Sequence, residues 1–293
     1  MKEKSDRHIR IRVSQEEYGF VREVLRKKKS GGQLPKIEEI DSFVSEWLND
    51  FPDGREETFN PITIEGKAAI LSDIHLGIHD KQAITSALTY LKKERIDFLI
   101  LNGDTLDSTE ISTHPKNSKT PKYLHEVTLA KSLLSAIAID FPHTKIYFKE
   151  GNHEDRLQRY IMANAEALDG IVDLPKILDL EAKGIGYVES LRYMIVNNIH
   201  VFHGHEIRVS GTNAARKLYD RTAHSSLMGH VHKIGHFVKK GTDGIYRDAF
   251  TTGCLCKLSQ GYIMHSDSQH GFAIIERDGN VRNHEIRNGA ILP

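Results

Sequence analysis

Three short apolar segments constrain the fold most, because each leads into a run of small and chemically reactive residues. They are residues 67–71, 98–101 and 146–148, followed by Ser-Asp-Ile-His, by Asn-Gly-Asp and, after two further residues, by Gly-Asn-His. Apolar residues at helical spacing separate the segments. This alternation predicts an α/β sheet with a functional site at the ends of its strands.

The second half of the chain has a different pattern. Three pairs of β-rich segments flank turn residues at 197–198, 242–244 and 278–280, which is typical of hairpins. Residues 155–190 read as helical and irregular, and would cover one side of the site. We therefore expect mostly antiparallel strands after residue 190.

Residues 1–50 form a predicted separate unit of one strand and two helices. Apolar and basic residues alternate over 7–13, and residues 1–31 hold ten Lys/Arg against five Asp/Glu. The unit resembles a ribbon-helix-helix DNA-binding module, in which basic side chains neutralise phosphates. The alternative is an oligomerisation element or a small helical appendage with a solvated basic face. The polar stretch 51–61 is predicted as a linker, and residues 62–293 as the catalytic domain.

Bulk properties exclude several classes of protein. Forty basic residues balance forty acidic ones, so no global field points to a polyanionic partner. The sequence has neither an apolar run of membrane-spanning length nor the apolar region of a secretory signal. Cys254 and Cys256 are only two residues apart, which suits a buried structural pair better than a disulfide. We therefore expect no membrane partner and a cytoplasmic location.

Carboxylate, imidazole and amide side chains cluster just after the predicted strands. Such donors suit borderline divalent metals. A glycine adjoins a candidate ligand in four places, where the backbone must come close to a metal or substrate. These are Gly103, Gly151, Gly204 and Gly229.

Five sequence blocks, in order, resemble the calcineurin-like metallophosphoesterase superfamily. The resemblance spans residues 67–260, and the blocks are Asp73-Ile-His75, Gly103-Asp104-Thr-Leu-Asp107, Gly151-Asn152-His153-Glu154, His203-Gly204-His205 and Gly229-His230-Val-His232. The resemblance implies a four-layer αββα sandwich. It also implies two divalent metal ions, with Mn²⁺ favoured over Fe, Zn or Ni, and hydrolysis by a hydroxide held between them.

The same resemblance implies a role for each matching residue. Asp104 would bridge the metals, with the other ligands being Asp73, His75 and His232 for one metal and Asn152, His203 and His230 for the other. His153 would be the catalytic histidine and Asp107 its orienting partner. Arg156 and His205 are candidate substrate-binding residues. The alternative is that Arg156 is a solvated arginine at a helix start and His205 an ordinary loop residue.

The substrate stays open between three hypotheses. The favoured one is a nuclease-like phosphodiesterase, because the basic N-terminal unit and Lys116, Lys119 and Lys122 suit a phosphate backbone. The second is a phosphomonoesterase acting on a phosphoprotein or small metabolite. The third is a DNA-tethered regulator with a secondary phosphoesterase core. A ribbon-helix-helix unit would also require a homo-oligomer.

Overall fold

The computed structural model describes residues 60–259 and 266–292. The predicted N-terminal unit and almost all of the predicted linker lie outside these residues, so both stay predictions. These described residues form thirteen strands and five α-helices.

The strands fall into two groups along the chain. The first seven are β1 (Ile62–Ile64), β2 (Ala68–Leu71), β3 (Phe98–Asn102), β4 (Lys145–Lys149), β5 (Gly186–Val188), β6 (Met194–Val196) and β7 (Ile199–Phe202). The remaining six are β8 (Ser226–Met228), β9 (Gly235–Lys240), β10 (Tyr246–Thr251), β11 (His270–Ile275), β12 (Val281–Arg287) and β13 (Ala290–Leu292). The helices are α1 (Lys81–Leu91), α2 (Tyr123–Asp140), α3 (Asp155–Asn164), α4 (Leu174–Ile177) and α5 (Ala214–Thr222).

These strands build two mixed sheets. The seven-stranded sheet has the order β13-β12-β11-β2-β3-β4-β5, and the six-stranded sheet has the order β1-β6-β7-β8-β10-β9. In the first sheet β2, β3, β4 and β5 are parallel neighbours. In the second, β7, β8 and β10 are parallel. The carboxyl ends of each parallel set therefore share one edge of their sheet.

Alternation along the strands explains the layers. Ala69 and Leu71 of β2 pack with the apolar faces of α1 and α2, whereas Ala68 and Ile70 pack with residues of the six-stranded sheet. The outer face of the six-stranded sheet packs on α5, where Leu218 is fully buried. The order is helices, sheet, sheet, helix, as the predicted αββα sandwich requires.

The structure confirms the predicted hairpins and adds two features that the sequence did not predict. Asn197 and Asn198 both have positive φ in the turn between β6 and β7, as a tight hairpin turn demands. The expectation of mostly antiparallel pairing after residue 190 is confirmed, but β8 pairs in parallel with both of its neighbours, β7 and β10. Helix α5 forms the crossover connection between the parallel strands β7 and β8. Its apolar face is too short to be recognised in the sequence. Strand β5 lies in a segment read as helical and irregular.

In the ranges 60–259 and 266–292, no helix is both long enough and apolar enough to cross a membrane.

Candidate metal centre

The predicted metal ligands lie at the carboxyl ends of the parallel strands of both sheets. Each follows its strand by a few residues, and five of the seven adopt left-handed backbone, with φ between 47° and 66°. The five are Asp73, His75, Asp104, His230 and His232. Left-handed backbone costs a residue with a β-carbon about 1–2 kcal/mol. Strained backbone of this kind concentrates at functional sites, where the surrounding structure holds it in place.

The first predicted ligand set is assembled around buried Asp73. His232 Nε2 lies 3.2 Å from Asp73 Oδ1 and 3.3 Å from His75 Nε2. The other ring nitrogen of His75 donates to Asp107 Oδ1 at 3.2 Å, which leaves its Nε2 lone pair facing the cluster. Asp73 Oδ2 accepts a hydrogen bond from the backbone N–H of His230 at 2.8 Å, so the aspartate ties β2 to β8.

The second predicted set is assembled around buried His203. Its Nδ1–H donates to the carbonyl of Asn102 at 2.8 Å, and its Nε2 lies 3.2 Å from Asn152 Oδ1. His230 packs edge-on against it, with ring centroids 5.1 Å apart. The donor atoms of Asp104, His203 and His230 all lie within 4.8 Å of one another.

Asp104 lies between the two sets. Its Oδ2 is 3.3 Å from His203 Nε2 and 3.8 Å from His75 Nε2. Its carboxylate also approaches His153, whose Nε2 is 3.7 Å away. A carboxylate in contact with both histidine groups has the position that a bridging ligand needs.

The donor set fits divalent cations. His203 Nε2 and Asn152 Oδ1 are both acceptors when Nδ1 carries the imidazole proton, yet they face each other at 3.2 Å. Buried Asp73 Oδ1 lacks a hydrogen-bond donor among the described residues. Burial lowers the pKa of His203, but the Asp104 carboxylate, with Asp73 and Glu206, outweighs it and raises that pKa to about 10. The negative field at this point therefore favours a positive charge, which a metal ion would supply.

Glycine is required where the two sheets meet. Gly103 has φ of 85°, and a β-carbon there would collide with the ring of His203. A β-carbon at Gly151 would collide with the carboxylate of Asp104. At Gly103 and Gly151 the backbone therefore passes directly beside the side chains of two predicted ligands. Closeness of this backbone to a metal or substrate stays a prediction.

His153, the predicted catalytic histidine, lies at the rim of this cluster. Its Nδ1–H donates to the backbone carbonyl of Asp107 at 2.6 Å, and its Nε2 accepts from Arg156 Nη2 at 3.1 Å. Arg156 Nη1 donates to the same carbonyl at 2.7 Å. The carboxylate of Asp107 lies 3.5 Å from His153 Nδ1 but is closer to His75. Asp107 therefore orients His153 with its backbone and His75 with its side chain.

Arg156 and His205 differ in their closeness to the site. Arg156 is half-buried at the start of α3, in contact with His153, rather than solvated. His205 is half-buried in the loop after β7, and Ser190 Oγ lies 2.8 Å from its Nε2. Burial lowers the pKa of His205 to about 4, so its ring is neutral near pH 7. Substrate binding by either residue stays a prediction.

Two buried carboxylates that support the site were not predicted. Glu154 accepts hydrogen bonds from the backbone N–H groups of Asp104, Leu106 and Gly151 at 2.8–2.9 Å. Glu206 accepts from the N–H groups of His203 and Gly204 at 2.8 and 2.7 Å. The only signal in the sequence was their closeness to ligand motifs, since a buried glutamate and an exposed one look alike in sequence.

A fully buried lysine pairs with Glu206. Lys149 Nζ lies 3.2 Å from the Glu206 carboxylate and donates to the carbonyl of Ser190 at 3.1 Å. Burial raises the pKa of Glu206, but Lys149 and two histidines outweigh it and lower that pKa to about 2. The His203 loop therefore rests on an ion pair inside the protein.

The two cysteines are buried and free, as the sequence predicts. Cys256 Sγ lies 3.8 Å from His232 Nδ1. This contact lies on the side of the ring away from Asp73, so Cys256 supports the orientation of His232.

Comparisons with known proteins bear on the identity of this centre. The sequence profile of calcineurin-like phosphoesterases matches residues 66–237, which is more than half of the chain and includes all seven predicted ligands. Curated proteins give no significant match. One solved structure has 8% identity and a TM-score of 0.36 over 76% of this chain and 99% of its own. Another, a mutant of a cold-active protein tyrosine phosphatase, has 12% identity and a TM-score of 0.29 over 79% of this chain and 85% of its own.

Neither structural similarity is strong enough to inform the fold or the function. The profile match, by contrast, covers β2 to β8 and the loop after β8, the region that carries all seven predicted ligands. The chain belongs to the calcineurin-like phosphoesterase family, whose members hydrolyse phosphoester bonds with the help of divalent metal ions.

Proposed function

We propose that this chain hydrolyses phosphodiester bonds, with nucleic acid as the substrate class. The supporting observation is that two arginines near the cluster are already bound to other groups of the protein. Arg156 binds Asp107 and His153, and Arg159 donates to the carbonyl of Asn152 and pairs with Asp155. A phosphomonoester dianion carries one more negative charge than a diester. Arginines already engaged by protein acceptors favour the singly charged diester.

Two lysines in the loop after Asp107 are also engaged by protein groups. Lys122 pairs with Glu110, and Lys116 donates to the carbonyl of Ser112. Neither lysine is therefore a dedicated clamp for a doubly charged group. An extended backbone of diesters, each with one charge, is the substrate that such a surface tolerates best.

The chemistry divides between the metals and the chain. When bound, two divalent ions would supply positive charge for the phosphate oxygens and an activated water. We assign the metal ligands as Asp73, His75, Asp104, Asn152, His203, His230 and His232, with Mn²⁺ as the favoured metal. The protein fixes the direction of the His203 ring through the Asn102 carbonyl and that of the His75 ring through Asp107.

His153 handles the leaving-group proton in this proposal. Burial lowers its pKa, but Asp104 and the contact with Asp107 outweigh that effect, so its pKa is raised. A raised pKa favours the imidazolium, which is the form that donates a proton to a leaving oxygen. Its Nδ1–H is already held by the Asp107 carbonyl, so Nε2 is the atom that would exchange the proton. Nε2 can carry that proton only after it leaves its contact with Arg156 Nη2.

The test compares a diester and a monoester in the presence of Mn²⁺. Purified protein is incubated with bis-p-nitrophenyl phosphate, with p-nitrophenyl phosphate, and with end-labelled single- and double-stranded DNA. We expect faster cleavage of the diester and cleavage of DNA, both absent in His153→Ala. Intact DNA with a clear preference for the monoester would overturn the proposal in favour of a phosphomonoesterase.

The nucleic-acid part of the proposal has a second test in the full-length chain. Replacing Arg10 and Arg12 with Glu reverses charge in the basic unit, whose structure lies outside the described residues. We expect weaker DNA binding and a smaller dependence of binding on salt, with unchanged hydrolysis of the small diester. Strong DNA binding by a wild type that hydrolyses neither ester would support a DNA-tethered regulator instead.

A further inference from the structure

One peptide group connects the rim of the site to a buried glutamate that the preceding sections leave without a role. The carbonyl of the Asp107–Ser108 peptide accepts from His153 Nδ1 at 2.6 Å and from Arg156 Nη1 at 2.7 Å. The N–H of the same peptide donates to Glu126 Oε2 at 2.6 Å. Both ends of this peptide group are therefore bound, one by the site and one by Glu126.

Glu126 reaches the peptide from a different element. It lies in the first turn of α2 and is fully buried, in a helix whose other buried residues are apolar. Its second oxygen, Oε1, has no hydrogen-bond partner among the described residues. A buried carboxyl group with one unsatisfied oxygen costs free energy. Ser108 N–H is the contact that offsets this cost.

The peptide needs support because of its backbone. Ser108 has φ of 50° and ψ of 26°, a left-handed conformation that is unfavourable for serine. Without a partner for its N–H, the 107–108 peptide could rotate toward a more favourable conformation. Its carbonyl would then turn away from His153 and Arg156. Hydrogen bonds at the two ends of one peptide also polarise and strengthen each other.

We propose that Glu126 is a positioning residue for the phosphoesterase site. It fixes the plane of the Asp107–Ser108 peptide, and this plane in turn fixes the ring of His153 with its proton on Nδ1 and the guanidinium of Arg156 beside it. Glu126 does not touch the reacting atoms. The kinetic consequences rest on the proposed function, whereas the structural consequence for His153 does not.

The first test observes the His153 ring directly. Protein labelled with ¹⁵N-histidine and loaded with Zn²⁺ is studied by long-range ¹H–¹⁵N NMR, with His153 assigned from the His153→Ala variant. We expect the Nδ1–H form in the wild type and in Glu126→Gln, which keeps an acceptor oxygen. We expect loss or exchange of this form in Glu126→Met, which has similar size and no acceptor. Val127→Ala, a packing change at the next residue, should leave the ring unchanged.

The second test measures turnover of the small phosphodiester. Glu126→Met should lower kcat by about 10- to 100-fold with little change in KM, as expected for loss of an orienting contact. Glu126→Gln should keep kcat near the wild-type value, and the metal content of both variants should stay at the wild-type level. If Glu126→Met does not fold, as judged by circular dichroism, Glu126→Ala replaces it in both tests.

Two outcomes would overturn the inference. One is a Met variant with the wild-type His153 tautomer and the wild-type kcat. The other is a Gln variant as impaired as the Met variant, because the acceptor oxygen would then not be what matters. If the wild type hydrolyses no phosphoester, the proposed function fails, and the NMR result alone decides the role of Glu126.

Discussion

The two sheets present their share of the metal centre in different ways. On the seven-stranded side, Glu154 is buried and gathers three backbone N–H groups around Asp104 without a cationic partner among the described residues. On the six-stranded side, Glu206 gathers the N–H groups of His203 and Gly204 and pairs with buried Lys149. The same kind of acceptor is therefore used once as a lone carboxylate and once as half of an ion pair.

The difference appears in the two pKa values. Burial, reinforced by Asp104, raises the pKa of Glu154. Lys149 and two histidines outweigh burial and lower the pKa of Glu206 to about 2. On the seven-stranded side the protonated form of Glu154 is therefore favoured. On the six-stranded side the charged form of Glu206 is favoured. One binding centre thus rests on two supports that respond to pH in opposite directions.

The largest effect on metal binding and hydrolysis is expected for Asp104, which lies between the two predicted ligand sets. Asp104→Asn removes the carboxylate that contacts both histidine groups, so bound metal should fall and hydrolysis should drop by more than about 100-fold. Metal content is measured by elemental analysis after gel filtration. The matched control is His153→Ala, which should lose turnover and keep its metal. Two full equivalents of metal in Asp104→Asn would show that the two sets bind metal without a shared ligand.

The ion pair can be broken from one end. Lys149→Met leaves Glu206 buried without its cation, which should lower the free energy of unfolding by about 3–5 kcal/mol. The double variant Lys149→Met with Glu206→Gln should recover most of this loss, because no charge is then left buried. Urea denaturation of the three proteins provides the measurement. Equal stability of Lys149→Met and wild type would mean that Glu206 is solvated in its unpaired state.

The smallest effect separates the two supports by pH. Glu206, with a lowered pKa, contributes stability above its ordinary value of 4.5 that is lost as pH falls toward about 2. Glu154, with a raised pKa, contributes stability below 4.5 that is lost as pH rises through its raised value. Urea midpoints of the metal-free protein are compared across pH with those of Glu206→Gln and Glu154→Gln.

We expect Glu206→Gln to flatten the acid side of the stability profile and Glu154→Gln to flatten the side above pH 4.5. The two variants serve as each other's control, since both remove one buried glutamate charge. Parallel profiles for both variants would contradict the distinction between the two supports.

Much of the site could be predicted from the sequence because its residues follow strands directly. Asp73, Asp104 and His203 each lie within two residues of a strand end, and strand ends in a parallel sheet share one edge. The position of a residue just after a predicted strand was therefore enough to predict that it lies near the other residues of the site. The same logic predicted the hairpins, whose turns are local.

The supporting residues could not be predicted, because burial depends on distant parts of the chain. Lys149 ends an apolar strand and could equally point to solvent, yet it is fully buried. Glu126 lies on a helix whose neighbours in sequence give no sign of Ser108, eighteen residues earlier. Parallel pairing of β7 with β8 also depends on a crossover that no short pattern reveals. The sequence thus indicates the candidate ligands far better than the residues that support them.

The left-handed backbone at five predicted ligands has a consequence for how this sequence is maintained. Glycine would relieve about 1–2 kcal/mol of strain at each such position and would remove the donor atom. Selection for a stable fold alone would thus favour glycine at Asp73, His75, Asp104, His230 and His232. A side chain at such a position lowers the stability of the fold, and the chemistry of its donor atom is what offsets that cost.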